Sequence, residues 1–324
     1  MFAHGGMQTQ IEQTKSALEM AGVTVEYLRW WDASQTGDLL HHFGRIPVAH
    51  LQMAQNKGLK VIIAELLTGQ GSRPAWKQAL HKLAVRTVST IIPRYISSSF
   101  NWDSYRLADG CVALTEWEAH LMNQVFGAPR EKIFVVANGV EQPFFQSHGV
   151  KRGPWLVCSA TITERKGILE LAQAAVLAKT PLWIIGKPYS ESDAYAQRFI
   201  SLARENPQIL KYEGPIYDRS VLARIYQEAR GFVLLSTMES LSLSALEAAA
   251  SGCPLLLSDL PWAHSAFGEN VSYCPVKAPG TTARFLREFY DRCPLLKAPP
   301  RPKTWIEIGE QLKAVYETVL KTSR

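Results

Sequence analysis

Short apolar runs alternate with segments of helical period along most of the chain. From residue 8 to 21, Ile11, Leu18 and Ala21 fall on one helical face, and Gly22 stops the run. VTVEYL at 23–28 alternates and predicts a strand; LLHHFG (39–44) and LKVIIAEL (59–66) predict two more, with a helix at 47–57 between them. A strand at 109–114, a helix at 116–126 and a strand at 133–136 follow. Composition then shifts across 141–152, with Pro143, Gly149, Lys151 and Arg152, which predicts a domain boundary. The rhythm restarts at Trp155 and runs to about Val276, with helices at 167–178, 194–205 and 220–229. Residues 294–303 are rich in proline and basic side chains and predict an irregular crossing. A last helix spans 305–320, with Ile306, Ile308, Leu312, Val315, Tyr316 and Leu320 as its apolar positions. Repeated strand–helix–strand units predict an α/β chain with parallel, doubly wound sheets.

The densest chemistry lies in GFVLLSTMESLSLSALEAAASGCPLLLSD, residues 231–259. It reads as buried strand, polar loop, helix, tight stop and strand. Thr237, Ser240 and Ser242 offer side-chain oxygens to the free N–H groups of a helix start. The alanine-rich stretch 245–250 favours helix, Gly252 suits the position after its end, and Pro254 prevents continuation. Glu239 is thereby placed at the carboxyl end of a parallel strand, where open α/β sheets bind ligands, and Glu247 about a turn into the next helix. A carboxylate accepts through two oxygens and can take both hydroxyls of a vicinal diol. Two carboxylates flanking a helix N-terminus, itself suited to phosphate, match the shape of a nucleotide sugar.

This segment resembles the signature of retaining GT-B glycosyltransferases of family 4 (glycosyl transferases group 1): a glutamate, seven residues, a second glutamate, then an alanine-rich helix ending in Gly-x-Pro. The resemblance extends to ALTEWEAHLMNQVFGAPREKIFVVANGVEQPFF (113–145), CSATITERKGILELAQAA (158–175), PLWIIGKP (181–188) and YEGPIYD (212–218). It implies two Rossmann-like doubly wound domains with an interdomain cleft. An acceptor-side domain would occupy 1–145, with its first strand missing before the loop His4-Gly5-Gly6-Met7. A nucleotide-sugar-binding domain would span 146–302, and a helix at 303–324 would cross back to the first domain. The resemblance also implies roles. Glu239 would hold donor-sugar hydroxyls, Lys166 the diphosphate, Glu247 the ribose, and the backbone at Ser242, Leu243 and Ser244 the terminal phosphate. Gly214, Pro215 and Ile216 would line the base pocket, and Gly5, Gly6 and the 65–72 loop would face the acceptor. The family's strand-end histidine has no counterpart here, and Glu65 is the catalytic candidate at that spot. The family's arginine before its lysine falls at Ala160 or Thr161, leaving Arg165 as the neighbouring cation. The implied activity is metal-independent transfer of a hexose-type sugar from a nucleotide sugar to a glycan, lipid-linked or small-molecule acceptor, with retention and with no cofactor. A GT-B binding or scaffold protein, or a nucleotide-sugar epimerase, are the alternatives on the same fold.

Composition narrows the setting. The chain has 324 residues, enough for two full cores, with 47% hydrophobic residues. No signal-peptide pattern and no spanning apolar run is present, and five cysteines lack metal-ligand spacing, so a cytoplasmic protein with reduced thiols is expected. The net charge is +6, but no nucleic-acid motif accompanies it. Residues 73–94 mix Arg73, Lys77, Lys82, Arg86 and Arg94 with apolar positions, a pattern suited to peripheral contact with an anionic membrane at its inner face.

Overall fold

The computed structural model describes residues 6–67, 69, 72, 77, 80–85, 102–146, 151–275 and 279–322. The chain divides into two compact units. The first combines His4–Asn138 with Trp305–Arg324, and the second contains Gly139–Thr304.

In the first unit α1 (Gly6–Met20) is followed by β1 (Leu39–Phe43), α2 (Val48–Asn56) and β2 (Lys60–Ala64). The short α3 (Ser104–Leu107), β3 (Gly110–Ala113), α4 (Glu116–Gln124) and β4 (Ile133–Val135) complete the run before Gly139. The strands form one parallel sheet in the order β1-β2-β3-β4. Val61, Ile63, Cys111 and Ala113 of its central strands meet Leu121 and Met122 of α4 in a core that also holds Ile46 and Tyr105. Thr115 caps α4 by accepting from Glu118 N. The buried Glu118 side chain accepts from Leu67 N and Leu114 N, each at 2.8 Å, so one carboxylate satisfies two strand-end N–H groups.

The expected strand at 23–28 is absent: these residues are irregular, and Tyr27 and Leu28 are exposed. Alternation indicates that a segment can be half-buried in a sheet; it does not supply the neighbouring ladder that satisfies the backbone. β1 pairs with β2, and no described strand pairs with 23–28.

In the second unit the elements alternate. β5 (Leu156–Ser159), α5 (Ile168–Leu177), β6 (Leu182–Ile185), α6 (Ala194–Glu205), β7 (Leu210–Tyr212) and α7 (Arg219–Glu228) make up its first half. β8 (Gly231–Leu234), α8 (Leu243–Ala250), β9 (Leu255–Ser258), α9 (Pro261–Phe267), β10 (Ser272–Cys274) and α10 (Pro279–Arg292) make up the second. All six strands are parallel, in the order β10-β9-β8-β5-β6-β7. The chain winds one way from β5 and the other way from β8, so the loops after these two strands diverge. That switch point is where an open α/β sheet leaves a crevice. The central strands β8 and β9 are buried on both faces, as Phe232, Val233 and Leu234 show, while the edge strands β7 and β10 are only half-buried.

After Thr304 the chain forms α11 (Trp305–Lys321), which packs on α1 of the first unit. A Cβ on Gly309 would stand 2.3 Å from Ala17 O, so the two helices touch backbone to backbone there. All five cysteines are free and buried. No helix among the described residues is long and apolar enough to cross a membrane. Of the basic stretch 73–94, only Lys77 and 80–85 are described. Leu80 and Leu83 are exposed there and Val85 is buried.

Candidate functional site

The loops at the switch point bring the sequence candidates of the second unit together. After β5 the chain makes a tight turn, Glu164–Lys166, capped by the Thr163 side chain, and enters α5 through Gly167. After β8 it runs through Ser236–Leu241 to the α8 start. The two loops are tied to each other: Thr237 N and its hydroxyl both donate to Arg165 O, at 2.9 and 3.1 Å. Thr237 therefore serves this loop contact instead of capping α8. The α8 cap is Ser242, whose hydroxyl accepts from Ala245 N at 3.3 Å and lies 3.1 Å from the Ser244 hydroxyl.

Lys166 and Glu239 form a close ion pair through Nζ and Oε1, with little of either side chain exposed. Arg165 Nη1 lies 3.7 Å from the same carboxylate oxygen and donates to Met238 O at 2.9 Å. Two cations thus converge on one carboxylate of the loop that joins β8 to α8. Such an arrangement can exchange an internal anion for an external one, because a diphosphate offers Lys166 and Arg165 the same partners with more charge.

Glu247 is the fifth residue of α8 and only 8% exposed. Burial raises its carboxyl from the usual carboxylate range to about 7, although the Arg219 guanidinium paired with it pulls the other way. Arg219 opens α7 and also donates from Nε to Glu141 Oε2 at 2.6 Å. Burial pulls the arginine down, but Glu247 and Glu141 together carry it above its ordinary value. Neither Arg219 nor Glu141 stood out in the sequence. The available signal was a charged residue at a helix start directly after a strand-end loop; the pairings themselves join residues 28 and 78 positions apart.

The strand ends β5, β6 and β7 form the adjoining rim. Gly186 N donates to Gly214 O at 3.1 Å, and Ala160 N donates to Ile185 O at 3.0 Å. Gly186 has φ +147, and a Cβ there would lie 2.0 Å from Ala160 O, so this contact admits only glycine. The loop Gly214, Pro215 and Ile216 is half-buried and leads to Tyr217, which is 73% exposed. Lys187 Nζ lies 5.6 Å from the Tyr217 ring centre and donates to its hydroxyl at 3.2 Å.

The remaining candidates lie elsewhere. Glu65, in the first unit, is held by Arg45 at 3.1 Å through both oxygens and accepts from the Tyr105 hydroxyl. Arg45 also lies over the Tyr105 and Phe126 rings, so Glu65 belongs to a packed ionic cluster. Gly6 opens α1, and Gly5 lies outside the described residues.

Residues 153–291 match the family described as Glycosyl transferases group 1. The chain is 28% identical over 157 residues to the GDP-mannose:cellobiosyl-diphosphopolyprenol alpha-mannosyltransferase of Xanthomonas campestris, an alignment covering 46% of this chain and 40% of that protein. It is 25% identical to the D-inositol 3-phosphate glycosyltransferase of Jonesia denitrificans, over 94% of this chain and 74% of that one. Among solved structures, the pneumococcal O-GlcNAc transferase GtfA, in complex with UDP and GlcNAc, superposes with a TM-score of 0.59 at 15% identity, over 84% of this chain and 55% of that one. The chain thus spans about half the length, or less, of two of these three proteins. The second unit carries the group 1 glycosyltransferase pattern, in a chain with the GT-B fold.

Proposed function

We propose that this protein is a retaining glycosyltransferase of family 4 type, moving a hexose-type sugar from a nucleotide sugar to a glycan, lipid-linked or small-molecule acceptor. The observation that carries the proposal is the switch-point cluster: Lys166 and Arg165 meeting Glu239, with Glu247 a turn into α8. In this reading the diphosphate takes Lys166 and Arg165, freeing Glu239 to accept from donor-sugar hydroxyls. Arg165 then supplies the second cation that Ala160 and Thr161 do not. Glu247 takes the ribose diol, and Tyr217 with the Gly214–Ile216 loop offers a face for the base. As the sugar–phosphate bond breaks, negative charge grows on the leaving diphosphate. Fixed cations and the α8 N-terminus, with the backbone at Leu243 and Ser244, stabilise it without a metal. The names of the relatives support the substrate class: one contains GDP-mannose and a diphosphopolyprenol acceptor, and the solved structure holds UDP.

The test is a transfer assay. The protein is incubated with UDP-, GDP- and ADP-hexoses and an extract of lipid-linked and free glycans, and nucleoside diphosphate release is followed with the anomeric NMR signal of the product. Glycoside of the donor's anomeric configuration is expected, with release reduced at least about a hundredfold in Lys166→Ala, the scale of losing one preorganised charge at the transition state. Nucleotide binding with no product from any donor would make this a binding protein. An isomerised sugar nucleotide would make it an epimerase.

A further inference from the structure

Arg219 reaches two carboxylates at once. It pairs with Glu247 through Nη2 and with Glu141 through Nε, and its guanidinium carbon lies 4.8 Å from the centre of the Phe144 ring. The guanidinium is a rigid plane, so anchoring one edge fixes where the other edge points. The anchor is itself held: Ser251 donates to Phe144 O at 3.2 Å, and Gln227 donates to Gln146 O. Both anchoring residues come from the segment preceding β5 and α7, far from Glu247 in sequence.

We infer that Arg219, clamped by Glu141 and Phe144, is the positioning residue that favours the ionised form of the Glu247 carboxylate and aims it for a vicinal diol. The inference rests on the reading that Glu247 takes the ribose. A diol needs two acceptor oxygens, and a protonated carboxyl presents one acceptor and one donor. In so buried a place a lone carboxyl keeps its proton at neutral pH. The groups facing Glu247 are Arg219 and the Tyr226 phenol from α7 and Glu141 from the preceding segment, with Cys158 of β5 beyond the phenol. Burial pushes the Tyr226 phenol well up and the Cys158 thiol to about 12, so both stay neutral. Arg219 and Glu141 carry the charge around Glu247: the arginine favours ionisation and the second carboxylate opposes it.

The experiment is calorimetric binding of UDP, GDP and ADP between pH 6 and 8.5. It uses the wild type, Arg219→Met, Glu141→Gln and Glu247→Gln, each checked for folding by circular dichroism. The Glu247→Gln protein gives the background from ionisation of the nucleotide's own phosphate. Relative to it, wild-type affinity is expected to fall about tenfold from pH 8 to pH 6, following one proton taken up near pH 7. Arg219→Met should move this midpoint to higher pH, with affinity partly recovered at pH 8.5. Glu141→Gln should move it to lower pH. A purely structural Arg219 would lower stability and leave the midpoint in place. An unmoved midpoint in folded Arg219→Met overturns the inference; if that protein does not fold, an unmoved midpoint in Glu141→Gln does so. Failure of the wild type to bind any of the three nucleotides would overturn the functional reading itself, and this inference with it.

Discussion

At Glu247 burial and charge pull against each other, and burial prevails. The folded carboxyl is raised to about 7 from an ordinary value of 4.5. The folded chain therefore holds this proton more tightly than the unfolded chain. The stability it contributes is complete below pH 4.5 and is lost as pH rises through 7. Compared with Glu247→Gln, the wild type is expected to lose up to about 3 kcal/mol between pH 4.5 and pH 8. Urea denaturation of the two proteins across that range checks the sign; a gap independent of pH would show that Glu247 titrates normally. Lys166 has a different expected signature. Its removal leaves the buried Glu239 with Arg165 at 3.7 Å. Affinity for nucleoside diphosphate should drop about tenfold or more, with affinity for the bare nucleoside unchanged, since a charge-assisted contact carries about 1.5–3 kcal/mol. Competition binding with the two ligand types separates these outcomes. Local grammar, an apolar run, a polar loop, a helix former and a stop, singled out Glu239 and Glu247, while Lys166 came from the family resemblance. Neither revealed that Arg219 closes onto Glu247, because side-chain pairing across tens of residues leaves no local pattern.

Among the elements, agreement between sequence and structure follows burial. β2 lies inside its predicted span of 59–66 and is buried from Val61 on, and β8 and β9, buried throughout, are the two strands read in the stretch 231–259. The helix expected at 194–205 is observed there, capped by Asp193, with Tyr195, Phe199 and Ala203 on its buried face. The segment 23–28 shows the limit of the approach. Its alternation is as regular as that of a strand, but strand formation depends on a partner that composition does not encode, and the residues remain irregular with Trp30 and Trp31 exposed beyond them. Close contacts between elements were equally hidden. Gly309 sits mid-helix, where glycine ordinarily weakens the helix, because α11 meets α1 backbone to backbone. Gly309→Ala should destabilise the first unit by about 1–3 kcal/mol despite its better helix propensity. A chemical-denaturation midpoint at or above that of the wild type would show that the helices separate at no cost.

For the whole molecule, the fold was legible from repetition: two runs of strand–helix–strand yield, among the described residues, two parallel sheets of four and six strands. The six-stranded sheet reverses its winding between β5 and β8, and Lys166 and Glu239 lie on the two loops that diverge from that point. Topology and chemistry therefore coincide in the second unit, and the family match at 153–291 falls on the same elements. The central claim is that this crevice holds a nucleotide sugar. Its most direct test is a thermal-shift panel of UDP, GDP, ADP and their hexoses against the wild type and Glu247→Ala. A ligand at 100 times its dissociation constant adds about 2.7 kcal/mol, enough to raise the midpoint by roughly 2 °C or more. The account predicts such a shift for one nucleotide class in the wild type and its loss in the variant. No shift with any nucleotide, or an equal shift in both proteins, would contradict it.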